Sequence, residues 1–225
     1  MGIGRVGPAQ AATLTESVEI VRRGYDRIAE EYLRSRGADD PDIRLVRDLC
    51  EQITPGSRVL DAGCGAGWPI ATMLAERCVV SGIDLSTSQL QLATANVPDA
   101  GFAAADLRAL PFVDATFAAI VSTYALIHVP REDHATVLAE MRRVLQPAGM
   151  LLVTMGASDL QDDVDDDYLG TGVAMYWSHY GRETNLRLVE SVGLEIVREE
   201  LIFENEGFGG GAHLFVLARR PEEDS

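Results

Sequence analysis

Val59-Leu60-Asp61-Ala62-Gly63-Cys64-Gly65-Ala66-Gly67 is the stretch whose reading decides the fold. A short apolar run is followed by three alternate glycines and then by a helical segment from Ile70. Glycines at such a turn let the backbone approach a ligand closely, and the N-terminus of the helix favours the ligand's anionic part. A dinucleotide fingerprint would place glycines at 63, 65 and 68, but position 68 is Trp.

Downstream of this turn, short apolar runs alternate with helices. Residues 58–62 and 78–84 read as strands with a helix over 70–77 between them. Ser86 with Gln89 caps a helix reaching Asn96. Strands follow at 102–106 and 117–123, then a helix over 132–145, the turn Gln146-Pro147-Ala148-Gly149 and a strand over 150–155. Apolar runs without polar alternation are what parallel strands covered on both faces require. Strict alternation of strand and helix predicts a doubly wound α/β fold. Near the end, strands over 194–203 and 212–219 share only a short glycine-rich link, so they pair antiparallel. The expected result is a mostly parallel seven-stranded sheet with helices on both faces and an antiparallel last pair.

Upstream, Leu14, Val18, Val21, Tyr25, Ile28, Tyr32 and Leu33 form one amphipathic stripe. It reads as a single helix, capped by Thr13 with Glu16 and ended by Gly37. A second helix follows Pro41, with Ile43, Val46, Cys50 and Ile53 on one face. Residues 158–181 break the rhythm, with five aspartates between Asp162 and Asp167 and then an aromatic cluster. They read as a long loop or cap. The expected organisation is a flexible tail over 1–12 and one domain over 13–225, with helices 13–53 and insertion 158–181 capping the site.

Composition narrows the function. The chain has 225 residues, of which 19 are basic and 35 acidic, for a net charge of −16. All the basic residues are arginine. A field of that sign repels polyphosphate, which argues against nucleic acid and anionic membrane as partners. No stretch approaches the roughly 20 apolar residues of a membrane span. Three cysteines without a C-x-x-C pair fit reduced thiols, hence a cytoplasmic location.

Asp84 closes the second strand about 20 residues after the glycine turn, where an acid can hold ribose hydroxyls. With this acid in place, the chain over residues 20–220 resembles the class I S-adenosylmethionine-dependent methyltransferases. Asp61 to Gly67 matches the family's first signature, Asp84 its ribose acid, and Asp106 with Leu107 its adenine-reading pair. Leu145-Gln146-Pro147-Ala148-Gly149 matches its L-x-P-G-G turn, with Ala148 for the first glycine. Tyr25-Asp26-x-x-Ala29-x-x-Tyr32 looks like the helix that closes over the cofactor in small-molecule members. The resemblance implies S-adenosylmethionine as cofactor and S-adenosylhomocysteine as product. It places Tyr25, Tyr32, Asp61, Gly63, Cys64, Gly65, Asp84, Leu85, Asp106, Leu107, Ser122 and Thr123 around that cofactor, and implies a small-molecule acceptor.

His128 follows the fourth strand, at the carboxyl edge where open α/β sheets bind ligands. It is the candidate base for an oxygen acceptor, with packing beside the site as the other reading. Tyr124 and the cluster Tyr176, Trp177, His179 and Tyr180 are candidates for the acceptor side. His134 reads as a surface residue. Asp163-x-Asp165-x-Asp167 lacks the glycine and closing glutamate of a calcium loop, so no metal is expected. A nicotinamide-dependent oxidoreductase and a non-catalytic cofactor-binding protein are the alternatives. The acceptor and the oligomeric state stay open at this stage.

Overall fold

The computed structural model describes residues 14–38, 40–203 and 211–222. The N-terminal tail, the cap at Thr13 and most of the glycine-rich link lie outside the described residues.

Five strands run parallel: β1 (Arg58–Ala62), β2 (Val79–Asp84), β3 (Gly101–Ala104), β4 (Phe117–Ser122) and β5 (Leu145–Gly156). They stand in the order β3-β2-β1-β4-β5. Next to β5, the strand β9 (Ala212–Arg219) runs antiparallel, and β8 (Glu195–Phe203) pairs antiparallel with β9 at the edge. The mixed seven-stranded sheet is the one the sequence predicts.

Side chains on a strand alternate between faces, and here both faces are dry. Along β1, Val59 belongs to one apolar cluster and Leu60 to the other; Ala119 and Ile120 of β4 repeat the division. One cluster packs against α6 (His134–Val144) and α7 (Arg182–Ser191). The opposite cluster packs against α3 (Pro41–Gln52) and α4 (Ile70–Ala75). The strand order reverses between β1 and β4, which opens a crevice at their carboxyl ends. The glycine turn, Asp84 and Thr123 all lie at that edge.

The structure corrects the sequence reading in three places. The N-terminal stripe is two helices, α1 (Leu14–Arg27) and α2 (Ala29–Ser35), separated at Ile28, whose φ of −106° and ψ of 17° leave the helical range. Ile28 is buried in a small third core with Val21, Tyr168, Met175 and Tyr176, so tertiary packing sets the bend. Second, residues 158–181 are largely a hairpin of β6 (Leu160–Asp165) and β7 (Met175–His179) rather than a loop. Along β6 partly buried and exposed residues alternate, which turns Val164 inward and leaves Asp163 and Asp165 exposed. That two-residue period lets an acidic run form a strand against apolar β7. Third, β5 starts at Leu145 and takes in the predicted turn, with Ala148 at φ 60°.

Among the described residues, no helix is long and apolar enough to cross a membrane, and no His, Cys, Asp or Glu cluster could hold a metal.

Candidate active site

A partly open cavity fills the crevice at the carboxyl ends of β1 and β4. Its floor is the glycine turn. Gly63 has φ +83°, and a Cβ there would stand 2.3 Å from the Ala125 methyl, so only glycine fits. The Gly63 and Cys64 amides donate to the Ile83 carbonyl at 2.8 and 2.9 Å, which ties the turn to β2.

Asp84 organises the turn. One carboxylate oxygen accepts from the Gly65 amide at 2.9 Å and the other from the Ser86 amide at 2.8 Å. Burial raises its carboxyl above the ordinary value even against these amide bonds. Ser86 also caps α5 (Thr87–Asn96), as predicted, by accepting from the Gln89 amide at 3.1 Å. Its hydroxyl then donates to Asp26 at 2.7 Å, and the Ser88 amide donates to the same Asp26 oxygen at 3.1 Å. Asp26 thereby fastens α1 to the start of α5 and holds α1 as the roof of the cavity. Val18, Val21, Tyr25 and, from α2, Tyr32 face the cavity from that side.

Asp61 lies deeper, 1% exposed, and its Oδ2 has no hydrogen-bond partner. Burial, reinforced by the charge of Asp84, pushes its carboxyl up to about 7 against the opposing charge of Arg36. Asp61 lines a smaller adjoining cavity with Tyr32, Arg36, Cys64 and Thr123. The Arg36 side chain, 7% exposed, pairs with Asp42 at 2.6 Å and stands 5.1 Å from the Tyr124 ring centre. Cys64 is buried, and burial pushes its thiol well above 9, so it packs there as an inert group.

At the far end, Leu85, Asp106, Leu107 and Arg108 line the main cavity. Burial works against ionisation of Asp106, yet bonds from Arg108 outweigh it and hold the carboxyl below its ordinary value. Arg108 also reaches Asp133 at 3.0 Å.

His128 is 6% exposed, in the short turn Leu126–His128 after β4, and lines the main cavity. Its Nδ1 is 2.8 Å from the Tyr176 carbonyl and its Nε2 is 2.9 Å from the Tyr25 hydroxyl. Burial lowers its pKa to about 4, so the imidazole is neutral at neutral pH.

The remaining predicted residues separate into two groups. Thr123 and Tyr124 line the cavity. Ser122 does not, because its hydroxyl turns into the sheet to donate to the Ala62 carbonyl at 2.8 Å. Tyr176, Trp177, His179 and Tyr180 do not line it either. Tyr176 donates to Asp162 at 2.5 Å, Trp177 packs on His128 at 4.2 Å between ring centres, and the His179 ring bonds the Ser158 carbonyl. Tyr180 packs against Arg131 and His134. This cluster builds the cap and backs His128 without touching the cavity itself. His134 is wholly buried, not a surface residue; its Nε2 lies 3.0 Å from the Val129 carbonyl, which draws it inward.

The sequence reading missed Asp26 as a fastener, Arg36 as a buried charge, and Arg108 and Gln89 as lining residues. Asp26 and Gln89 each sat inside a motif that pointed elsewhere, a helix signature and a capping pair. Nothing local marks Arg36, whose burial comes from tertiary packing.

Residues 59–149 match the family model described as a methyltransferase domain. The chain is 32% identical over 168 residues to the methyltransferase GfsG of Streptomyces halstedii, covering 68% of this chain and 59% of that protein. It is 33% identical over 147 residues to the demethylmenaquinone methyltransferase of Renibacterium salmoninarum, covering 63% and 61%. The chain thus spans about three fifths of the length of these relatives. Among solved structures, the 1,6-didemethyltoxoflavin-N1-methyltransferase of Burkholderia thailandensis shares the fold, with TM-score 0.72, 19% identity and coverage of 96% and 93%. Motifs, strand order and these matches agree: residues 59–149 match a methyltransferase domain, on the fold of the S-adenosylmethionine-dependent methyltransferases.

Proposed function

We propose that this protein transfers a methyl group from S-adenosylmethionine to a small-molecule acceptor inside the cavity under α1. The observation that carries the reading is the pairing of a built glycine turn, held by both oxygens of Asp84, with buried polar groups left open toward a ligand.

Those open groups test the fit of the cofactor. The Asp61 Oδ2 and both amide atoms of Gln89 are buried without partners, and burying a polar group unpaired is costly. A ligand carrying a cation and hydroxyls satisfies them. Asp61 and Arg36 would hold the ammonium and carboxylate of the amino-acid part. Asp84, with Gln89 beside it, would hold the ribose hydroxyls. Asp106 and the Leu107 backbone would meet the adenine edge, and Tyr25 and Tyr32 would close the roof. When bound, the cofactor supplies an electrophilic methyl group on a positively charged sulfur. The protein then has to exclude water and align the acceptor, and alignment alone is worth a large share of such a barrier.

Several features support a small apolar acceptor. The cavity walls are mostly aliphatic and aromatic, and the −16 charge disfavours nucleic acid. The described cysteines are all free thiols, which supports a cytoplasmic location. The test is incubation with S-adenosylmethionine and a varied acceptor library, with mass spectrometry locating the new methyl group. The expected result is equimolar S-adenosylhomocysteine and methylated product. Tight S-adenosylhomocysteine binding with no methylation of any acceptor would instead mark a protein that only holds the cofactor.

A further inference from the structure

The hydrogen bonds around His128 fix where its protons are. A carbonyl oxygen can only accept, so the 2.8 Å contact with the Tyr176 carbonyl places a hydrogen on His128 Nδ1. In the neutral imidazole Nε2 is then a bare acceptor, and the Tyr25 hydroxyl, 2.9 Å away, donates to it. Trp177 packs on the ring at 4.2 Å and holds its orientation. The lone pair of His128 is therefore occupied, so an acceptor in the cavity does not meet it directly. What faces the acceptor is the oxygen of Tyr25, which gives its own hydrogen to His128 and has the Tyr168 side chain as a second hydrogen-bond partner. Tyr25 lines the cavity with His128 and is only partly buried.

We propose that the Tyr25 hydroxyl, backed by His128, is the group that takes the acceptor's proton, and that the acceptor is accordingly a hydroxyl compound. The proposal rests on the methyl-transfer reading. The acceptor O–H bond breaks and its proton joins the Tyr25 oxygen as the proton of Tyr25 passes to His128 Nε2. The electron pair of the broken O–H bond stays on the acceptor oxygen, which is alkylated. The positive charge carried by the sulfonium ends on the imidazolium, which releases its proton to water afterwards. Two short hydrogen bonds in series suffice, and no side chain has to become an anion. A hydroxyl acceptor fits this chain because it sheds its proton on alkylation and donates to a neutral oxygen.

Three preparations test it: wild type, Tyr25→Phe and His128→Asn, each examined by NMR with S-adenosylhomocysteine bound and separately assayed with S-adenosylmethionine and phenolic, enolic, aliphatic hydroxyl, amine, thiol and carbon-acid probes. Nitrogen-15 NMR of the histidines reads the tautomer. The expected wild-type spectrum shows His128 protonated at Nδ1 and bare at Nε2, and Tyr25→Phe moves the Nε2 resonance. Turnover of hydroxyl probes falls at least 100-fold in Tyr25→Phe while KM for S-adenosylmethionine changes less than about threefold, the range expected for losing proton transfer. The wild-type solvent isotope effect fits two protons in flight, and that of His128→Asn fits one. A hydrogen on Nε2 in the wild type, or Tyr25→Phe turnover near the wild-type value, overturns the proposal. So does methylation confined to amine, thiol or carbon probes, or S-adenosylhomocysteine binding with no probe methylated. Failure to bind S-adenosylhomocysteine at all would overturn the methyl-transfer reading instead.

Discussion

Replacing Asp61 by Asn should make the protein more stable at alkaline pH and no more stable in acid. The carboxyl is buried, its Oδ2 is unpartnered, and burial with the nearby Asp84 raises its folded pKa to about 7. In the unfolded chain an aspartate titrates near 3.9. A carboxyl whose folded pKa is raised contributes its stability below the unfolded pKa and loses it as pH rises through the folded one. The window here is about pH 4 to 7, roughly three pH units at about 1.4 kcal/mol each, so the loss is about 4 kcal/mol. Asparagine keeps the shape and does not titrate. Urea denaturation of both proteins at five pH values from 4 to 8, without cofactor, gives the difference in stability. That difference should move in favour of the variant by about 4 kcal/mol across the window. His128 and His134, both lowered to about 4 by burial, alter both proteins alike and cancel in the subtraction. A difference that stays flat with pH would show that Asp61 is ionised throughout and that the buried-carboxyl argument is wrong.

Asp26→Ala should destabilise the protein by about 2 kcal/mol, because the buried Ser86 hydroxyl and the Ser88 amide lose their shared acceptor. Thermal denaturation reads this, and a change near zero would remove Asp26 as the fastener of α1. Ala148→Gly should stabilise by about 0.5–1 kcal/mol, since alanine at φ 60° carries left-handed strain that glycine lacks. A lowered melting temperature would count against that assignment of strain.

The sheet was readable in the sequence because each parallel strand is a short apolar run between a helix and a turn, and burial on both faces demands that pattern. The glycine turn was equally readable, since Gly63, Gly65 and Asp84 perform local structural tasks that leave local marks. The cap was harder. Asp162 to Asp167 looks like a loop to any count of charge, and only its pairing with Met175–His179 turns the two-residue period into a strand. The placement of Tyr176 to Tyr180 was hidden for a related reason: aromatic density does not say which space the rings fill, and here they pack in the cap, with Trp177 against His128, and do not line the cavity. The Tyr25–His128 contact joins residues 103 positions apart and has no signature in sequence.

The central claim is that the cavity under α1 binds the methyl donor through Asp84 and the glycine turn. Calorimetric titration of S-adenosylhomocysteine into the wild type and into Asp84→Ala tests it most directly. The account requires one site per chain in the wild type and a loss of roughly 1.5–3 kcal/mol in the variant, the cost of a charge-assisted hydrogen bond. Circular dichroism checks that the variant keeps its fold. Absence of binding in the wild type, or equal affinity in a folded Asp84→Ala, would contradict the account.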